Sequence, residues 1–414
     1  MRAVRAVRAV RAVAAFRSRI LLLLLGLVAC RGERPRPAGP DGLSRVVDSL
    51  RGRVEQATGL KFRSPPRSAL RTREQVRAYL LRKLDEELPS SKLLGLETAY
   101  RLFGLLPDTL DLRPLLLELY TEQVAGYYDP DSATLFGVVG ADPAQLRVVI
   151  AHELVHALQG ERLPLDSILH DKSNNDRLAA AQSVLEGQAT LSGMKALFPP
   201  DLDPTADPDF WTEYAGQIRG GQASMPVFAG APLVVREALI FPYLAGAEFM
   251  HWWEGSQFKD TMPYGPRMPE STEQVLFPER YARGDRPIAL EFPRDSAVLY
   301  EDVLGESELS ILVAILSGAT QMRKAAPRGW GGDRYRVYRT ADGPGLVWCV
   351  VWDDPRSAER FMMAFGGKLR QTGRKGYRTA FDNFEVGGKP ATLYVLAPET
   401  WGRWDAVPRP AVVR

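Results

Sequence analysis

The spacing of apolar residues along this 414-residue chain predicts a long helical part followed by a short mixed part. Between residues 43 and 322, apolar side chains recur mainly at intervals of three and four, the spacing of a helix with one buried face. The pattern predicts helices at residues 43–60, 72–88, 92–106, 112–124, 148–159, 176–197, 209–218, 233–253 and 306–322. One strand is predicted among them, at residues 134–139, after a turn at 129–132.

The pattern changes after residue 325. Short apolar runs predict strands at residues 334–339, 346–352, 377–381 and 391–397, and helical spacing predicts one helix at 355–369. This order is typical of a small α+β domain, which we expect to cover residues 330–404. It contains no spacing typical of metal ligands or of a nucleophile, so we expect it to pack against the helical part or to bind a partner.

The first thirty residues have the pattern of an export signal. An arginine-rich start leads into the apolar run 20–28, which is too short to span a bilayer comfortably. The run ends in Leu-Val-Ala-Cys30, and a small residue before cysteine at this place resembles the bacterial lipobox, in which the cysteine is lipidated. We therefore expect residues 1–30 to be a lipoprotein-type signal peptide. An ordinary signal peptide or an N-terminal anchor with an incidental cysteine is the alternative.

We expect the protein to be exported to the cell envelope and anchored in the membrane by a lipid on Cys30, and the segment after Cys30 is consistent with this. Residues 31–42 are rich in proline, glycine and arginine, which predicts a flexible tether. Cys349 is the only other cysteine, so lipidation of Cys30 would leave no intramolecular disulfide. For the same reason, cysteine cannot supply a Cys-rich zinc site.

The net charge of +3 is set by the leader. Residues 1–30 contain six arginines and no acidic residue, whereas the rest of the chain has 47 lysines and arginines against 50 acidic residues. Without the leader the net charge is −3, so the chain is slightly acidic. Nothing in its composition points to nucleic acid as a partner.

The clearest chemical signal lies in the helix predicted at residues 148–159, which contains His152, Glu153 and His156. Two histidines four residues apart lie on one face of a helix, about one turn apart, so both can bind the same zinc ion. The glutamate between them can then act on a water at the metal. The alternative is a pair of core histidines with a solvated glutamate between them.

A catalytic zinc site needs a third protein ligand and leaves one position open. Glu186, on the helix predicted at residues 176–197, is the leading candidate, and Gly187 beside it would let the two helices approach closely. His170, in the polar loop between the helices, is the competing candidate. The HxxGxxH continuation of all-histidine sites is absent after His156.

At these residues the chain resembles the gluzincin-type zinc metallopeptidases, in particular an uncharacterised bacterial lipoprotein-like branch. The resemblance rests on EQVAGYYDP, HELVHALQ, VLEGQAT, FPYLAGAEF and the later STEQVLFPERY. It implies an α+β fold whose mostly helical, zincin-like catalytic domain covers residues 43–325, with a small β-hairpin or sheet at the cleft edge. It also implies that His152, His156 and Glu186 hold Zn²⁺ and that Glu153 is the general base.

The chain departs from the family at two positions. Well-studied gluzincins often carry an aspartate four residues after the ligand glutamate, as partner of the first histidine, and here that position is Thr190. Asp176 and Asp171 are the candidate substitutes. Relatives of the resembled branch have a histidine in the STEQ stretch where this chain has Phe277. Ser-Thr-Glu-Gln274 itself favours a helix cap with a capping box over a catalytic role.

Peptide hydrolysis also needs a hydrogen-bond donor for the developing oxyanion. Tyr127, Tyr128, Tyr243 and His251 are candidates, and the resemblance favours Tyr243. In many zinc peptidases the strand before the metal helix forms the edge of the substrate cleft, where peptide adds as a further strand. The segment 199–231, rich in proline, aspartate and glycine, is expected to cover the cleft.

These observations predict a membrane-anchored zinc hydrolase that acts on peptide or protein substrates. The alternative, of a different class, is a catalytically inactive zincin-like lipoprotein that serves as a binding or scaffold module at the envelope. Thr190 and Phe277 favour the alternative, whereas Glu153 argues against it, because a scaffold needs no base. A purely structural zinc site is disfavoured, since such sites are closed by four protein ligands.

Overall fold

A computed structural model describes residues 21–22, 40–87, 89–165, 168, 174–199, 201–207, 209–323, 329–371 and 374–413. The predicted leader outside Leu21–Leu22, the lipidation at Cys30, and the alternatives His170 and Asp171 lie outside these residues. None of the helices in the described ranges combines the length and the apolar content that crossing a membrane requires.

Helices predominate in the first three quarters of the chain. Their bounds are α1 Pro40–Thr58, α2 Arg73–Glu87, α3 Ser90–Phe103, α4 Leu112–Gln123, α5 Pro143–Arg162, α6 Asn175–Leu197, α7 Phe210–Ala223, α8 Pro226–Gly230, α9 Leu233–Gly255, α10 Thr272–Leu276, α11 Pro278–Ala282 and α12 Gly305–Leu316. The predicted helical stripes are confirmed, because their apolar residues form one buried core. The last of them is shorter than predicted and ends at Leu316.

A four-stranded sheet lies against α5. Its strands are β1 Leu21–Leu22, β2 Arg67–Arg71, β3 Gly126–Asp129 and β4 Thr134–Val138. Their order is β1-β3-β4-β2, with β2 parallel to β4 and the other pairs antiparallel. The sequence predicted β4 but neither β2 nor β3. The turn predicted at residues 129–132 is confirmed, since a turn at residues 130–133 joins β3 to β4, but the four buried residues of β3 were not predicted as a strand.

A second sheet of five strands forms the C-terminal part. Its members are β6 Val298–Asp302, β7 Trp330–Thr340, β8 Gly343–Trp352, β9 Tyr377–Val386 and β10 Lys389–Pro398, in the antiparallel order β6-β7-β8-β10-β9. Helices α13 Pro355–Phe361 and α14 Gly367–Gln371, joined by a π-helical turn, connect β8 to β9. A small pair, β5 Leu290–Glu291 with β11 Ala411–Val412, lies beside it. The sheet therefore draws β6 from the segment that the sequence assigned to the helical domain.

The C-terminal sheet packs directly against the helical part. The ring of Phe103, at the end of α3, makes edge contacts with Tyr335 and Trp348 of the sheet, at centroid distances of 5.3 and 5.2 Å. Side chains of both parts belong to one continuous apolar core. The fold is thus α+β with helices predominating, as predicted, and the C-terminal part packs on the helical part as expected.

Candidate metal centre

The helix that carries the HELVH sequence, α5, begins at Pro143. Asp142 is its N-cap, and its carboxylate accepts hydrogen bonds from the main-chain nitrogens of Ala144 and Gln145, at 2.9 and 3.0 Å. Pro143 occupies the first helical position, where a missing N–H costs nothing. From Val149 to Gln159 every residue of α5 is buried. The histidines therefore stand on a fixed helix in the interior.

Three side chains from two helices converge in the core. Nε2 of His152 lies 2.8 Å from Nε2 of His156 and 3.1 Å from Oε2 of Glu186. Nε2 of His156 lies 3.4 Å from the same carboxylate oxygen. Within the described ranges this is the only group of three or more His, Cys, Asp or Glu side chains whose ligand atoms lie within 4.8 Å of one another. The structure thus brings together the three ligands that the sequence predicts.

The spacing of these atoms suits a tetrahedral zinc ion. Zinc bonds of about 2.0–2.1 Å at tetrahedral angles place neighbouring ligand atoms about 3.3 Å apart. The three distances, 2.8, 3.1 and 3.4 Å, lie around this value. Two imidazoles and one carboxylate leave a fourth position for water or substrate. The donor set therefore fits Zn²⁺ in a catalytic coordination.

Glycines set the position of α6 between its neighbours. A Cβ on Gly193 would lie 3.2 Å from the Cα of His152, so Gly193 is the residue that lets α6 approach α5. The sequence assigned this role to Gly187, which was wrong. Gly187 instead faces Gly246 of α9, where a Cβ would lie 2.8 Å from the Cα of Gly246. A single sequence could not show which helix Gly187 contacts.

Glu153 is held by the main chain of β3. The N–H of Tyr128 donates a hydrogen bond of 2.8 Å to Oε2 of Glu153, whose side chain is fully buried. The other oxygen, Oε1, has no hydrogen-bond partner among the described residues. The strand expected at the cleft edge was β4, but β4 lies between β3 and β2, and β3 is the strand beside Glu153.

Burial and mutual charge set the ionisation of the site. Burial, together with the neighbouring His156, lowers the pKa of His152 to about 4. Burial opposes ionisation of Glu186, but the two imidazoles outweigh it and lower its pKa to about 2. Burial raises the pKa of Glu153 well above its ordinary value, and the charge of Glu186 adds to this effect. A neutral imidazole and an ionised carboxylate are the forms that bind metal.

Tyr243, the favoured oxyanion candidate, lies next to the cluster of His152, His156 and Glu186. It belongs to α9, and its ring centroid lies 5.9 Å from that of His152, with the planes 31° apart. Its side chain is buried, with 8% exposed. This position is compatible with the role that the resemblance implies for Tyr243.

The structure gives the other three oxyanion candidates different contacts. The hydroxyl of Tyr127 accepts a hydrogen bond from Arg71 of β2. His251 packs against Trp211, with ring centroids 5.9 Å apart. Tyr128 contributes its main chain to the site, as described above.

The sequence missed Tyr214, on α7 in the segment expected to cover the cleft. Burial raises the pKa of Tyr214 above its ordinary range, and the negative charge of Glu186 adds to this effect, which brings α7 within electrostatic reach of the site. The ring of Tyr214 packs with Phe210 and Trp211. This aromatic cluster in an otherwise polar segment was the signal that could have identified it.

Asp176, one of the two substitutes proposed for the missing aspartate, does not contact His152, and Asp171 lies outside the described residues. Asp176 lies at the start of α6 and accepts hydrogen bonds from the main chain and the hydroxyl of Thr272. Nδ1 of His152 has no hydrogen-bond partner in the described part of the chain. Asp176 thus anchors α10, whose N-cap is Ser271, as the capping interpretation of STEQ predicted. Phe277 follows directly as the C-cap of α10 and is half-buried.

The metal centre is closed to solvent. The exposed fractions of its three ligands lie between 0% and 5%. A surface cavity of about 380 Å³ lies elsewhere, between the start of α6 and the C-terminal sheet, and Asp176 and Asp333 are among its lining residues. The three candidate ligands are not among the residues that line this cavity.

Comparison with known proteins gives one match. Residues 296–398 match the model of a family described as a domain of unknown function (DUF8575). The matched segment contains α12 and the five-stranded sheet, and it contains none of the metal-site residues. No curated protein and no solved structure matches the chain.

Proposed function

We propose that the protein is a zinc-dependent hydrolase of peptide bonds, exported to the cell envelope and anchored there by a lipid on Cys30. The observation that carries the proposal is the convergence of His152, His156 and Glu186, with the carboxylate of Glu153 on the same helix. The donor set leaves an open coordination position, which distinguishes catalytic from structural zinc. The anchor is proposed from the lipobox-like sequence alone.

Peptide is favoured as the substrate by the resemblance to gluzincins and by the edge of β3. The main chain of β3 lies beside Glu153. Leu21 and Leu22 pair antiparallel with Tyr128 and Tyr127, so this edge is able to receive an extended segment. A substrate strand added there would place its carbonyl groups near the centre.

The residues around the centre have separable tasks. Zinc, when bound, polarises the scissile carbonyl and lowers the pKa of water. The Tyr128 N–H holds one oxygen of Glu153, so the other is available to accept the proton of the attacking water and pass it to the leaving amine. Tyr243 would donate a hydrogen bond to the developing oxyanion. The buried surroundings of Glu153 strengthen these interactions.

The second candidate is an inactive module that keeps the fold and the metal. It is favoured by the closed centre and by Nδ1 of His152, which lacks a partner among the described residues where Thr190 replaces the usual aspartate. Such a protein would bind zinc as tightly as an enzyme but would release no peptide. The two candidates therefore differ in hydrolysis and agree in metal binding.

Substitution of Glu153 by glutamine tests the proposal. Glutamine keeps the size of the side chain and removes its basicity, so hydrolysis of a quenched fluorescent peptide library should fall by about 10²- to 10⁴-fold. Zinc content, measured by atomic emission, should stay at the wild-type level because Glu153 is not a ligand. The same assay on the wild-type protein after chelation and re-addition of zinc is the control.

Two results would contradict the proposal that the protein is an enzyme. A zinc-loaded wild-type protein that cleaves no member of the library would support the scaffold. Hydrolysis that persists in Glu153→Gln at the wild-type rate would show that a different group, or a contaminant, is responsible.

A further inference from the structure

We infer that Gln159 is a positioning residue that sets the tautomer of His156 and thereby prepares it as a metal ligand, an inference that rests on the proposed function. Gln159 lies three residues after His156 on α5, and 1% of it is exposed. Its Oε1 lies 2.7 Å from Nδ1 of His156. Sequence analysis assigned no role to Gln159.

The hydrogen-bond partners of the Gln159 side-chain amide show which of its two terminal atoms is the oxygen and which is the nitrogen. The nitrogen lies 3.0 Å from the main-chain oxygen of Leu185 and 2.8 Å from Oε1 of Gln188. A main-chain carbonyl can only accept a hydrogen bond, so the group that faces Leu185 must be the amide nitrogen. The amide oxygen therefore faces His156.

The direction of the amide fixes the hydrogen on the imidazole. An amide oxygen cannot donate, so Nδ1 of His156 must carry the hydrogen of the 2.7 Å bond. In a neutral imidazole the other nitrogen then has the free lone pair. That nitrogen, Nε2, is the one that lies 3.4 Å from Glu186, where the ligands converge. His156 is thus held in the form that binds metal.

The same amide also ties the two ligand-bearing helices together. Leu185 directly precedes Glu186, so the bond from Gln159 fixes α5 to the turn of α6 that carries the third ligand. Gln188, in turn, accepts a hydrogen bond from the hydroxyl of Tyr264. One buried side chain therefore orients one ligand and restrains the helix of another.

The first test is the tautomer itself, read from the ring nitrogens of the full-length metal-free protein by ¹⁵N NMR. The chain contains four histidines, so His156 can be assigned by substitution. The expected form is Nδ1–H. Finding Nε2–H in the wild-type protein would overturn the inference, whatever the variants do.

The second test is zinc affinity, measured by competition with a chromophoric chelator. Gln159→Met keeps the length of the side chain but removes its polar atoms, and it should weaken zinc binding by about 10- to 100-fold and release His156 to the Nε2–H form. Gln222→Met is the matched control. Gln222 is equally buried, at 1% exposed, but its amide has no hydrogen-bond partner among the described residues. Its substitution should leave both readouts unchanged.

The outcomes separate the inference from the proposed function. A folded Gln159→Met protein with wild-type affinity and the Nδ1–H form would overturn the role of Gln159. A wild-type protein that binds no zinc but shows His156 as Nδ1–H would refute the zinc enzyme and leave the tautomer assignment standing.

Discussion

Gly187 and Gly246 face each other where α6 crosses α9, and this contact fixes the helix that carries Glu186. A Cβ on Gly187 would lie 2.8 Å from the Cα of Gly246, and a Cβ on Gly246 would lie 2.8 Å from the carbonyl carbon of Ser183. Real Cβ atoms essentially never approach within 3.0 Å of another heavy atom. Since the obstructing atoms are main chain, no side chain can move aside.

Gly246→Ala should therefore destabilise the protein although alanine is the better helix former. Alanine normally gains about 1 kcal/mol over glycine in a helix. Here we expect a net loss of about 1–3 kcal/mol, because the two helices must separate. Urea unfolding measures the difference. Gly220→Ala on α7, where a Cβ would meet nothing within 4 Å, is the control and should stabilise. Equal changes in unfolding free energy for Gly246→Ala and Gly220→Ala would contradict the close approach of α6 and α9.

Arg219 of α7 forms an ion pair with the buried carboxylate of Glu237 on α9. Its two terminal nitrogens lie 2.7 and 2.9 Å from the two oxygens of Glu237, which is 2% exposed. Arg219→Met leaves a buried charge without its counter-ion, and since the arginine is partly exposed we expect a loss of about 2 kcal/mol.

The double variant Arg219→Met with Glu237→Met tests this explanation. If the cost of Arg219→Met comes from the uncompensated carboxylate, removing Glu237 as well should restore part of the stability, as seen in a double-mutant cycle. Additive losses would mean that the two side chains act independently.

The stability of the protein should depend on pH through Asp176. Burial raises the pKa of Asp176 to about 7, and the charges of Asp333 and Asp302 contribute to this rise. Between about pH 4 and pH 7 this carboxyl is protonated in the folded chain and ionised in the unfolded chain. Its contribution to the free energy of unfolding therefore falls as pH rises, by up to about 1.4 kcal/mol per pH unit.

Asp176→Asn removes this dependence and keeps an oxygen that can accept from Thr272. As the pH rises from 5 to 8, the wild type should lose unfolding free energy relative to the variant. Groups remote from Asp176 titrate alike in both proteins, so the difference reports Asp176 together with Glu273 and Glu306, whose pKa values the charge of Asp176 helps to raise. A difference that is constant with pH would contradict the raised pKa.

The sequence predicted features that depend on neighbours along the chain. The histidines of α5 stand together because helical geometry places residues four apart on one face. The apolar stripes of the long helices are equally local. β3 was missed because Gly126-Tyr-Tyr-Asp129 is short and its pairing with β4 comes from the fold.

The parts of the site that the sequence could not supply depend on contacts between helices. Gln159 is an ordinary polar residue in sequence, and its role appears only when Leu185 and Gln188 of α6 are seen beside it. Tyr214 is remote in sequence from every ligand. Glu186 was predicted correctly as part of the cluster. A catalytic zinc ion requires a third protein ligand, and this requirement limited the candidates to a few residues after His156.

The most direct measurement of the central claim is the zinc content of the purified full-length protein beside four variants. We predict about one zinc per chain in the wild type and in His251→Ala, a histidine of α9 outside the cluster, and its loss in His152→Ala and Glu186→Ala. Folded protein is verified by circular dichroism. Zinc that is absent from the wild type, or that is retained in Glu186→Ala and lost in His170→Ala, would contradict the His152–His156–Glu186 centre.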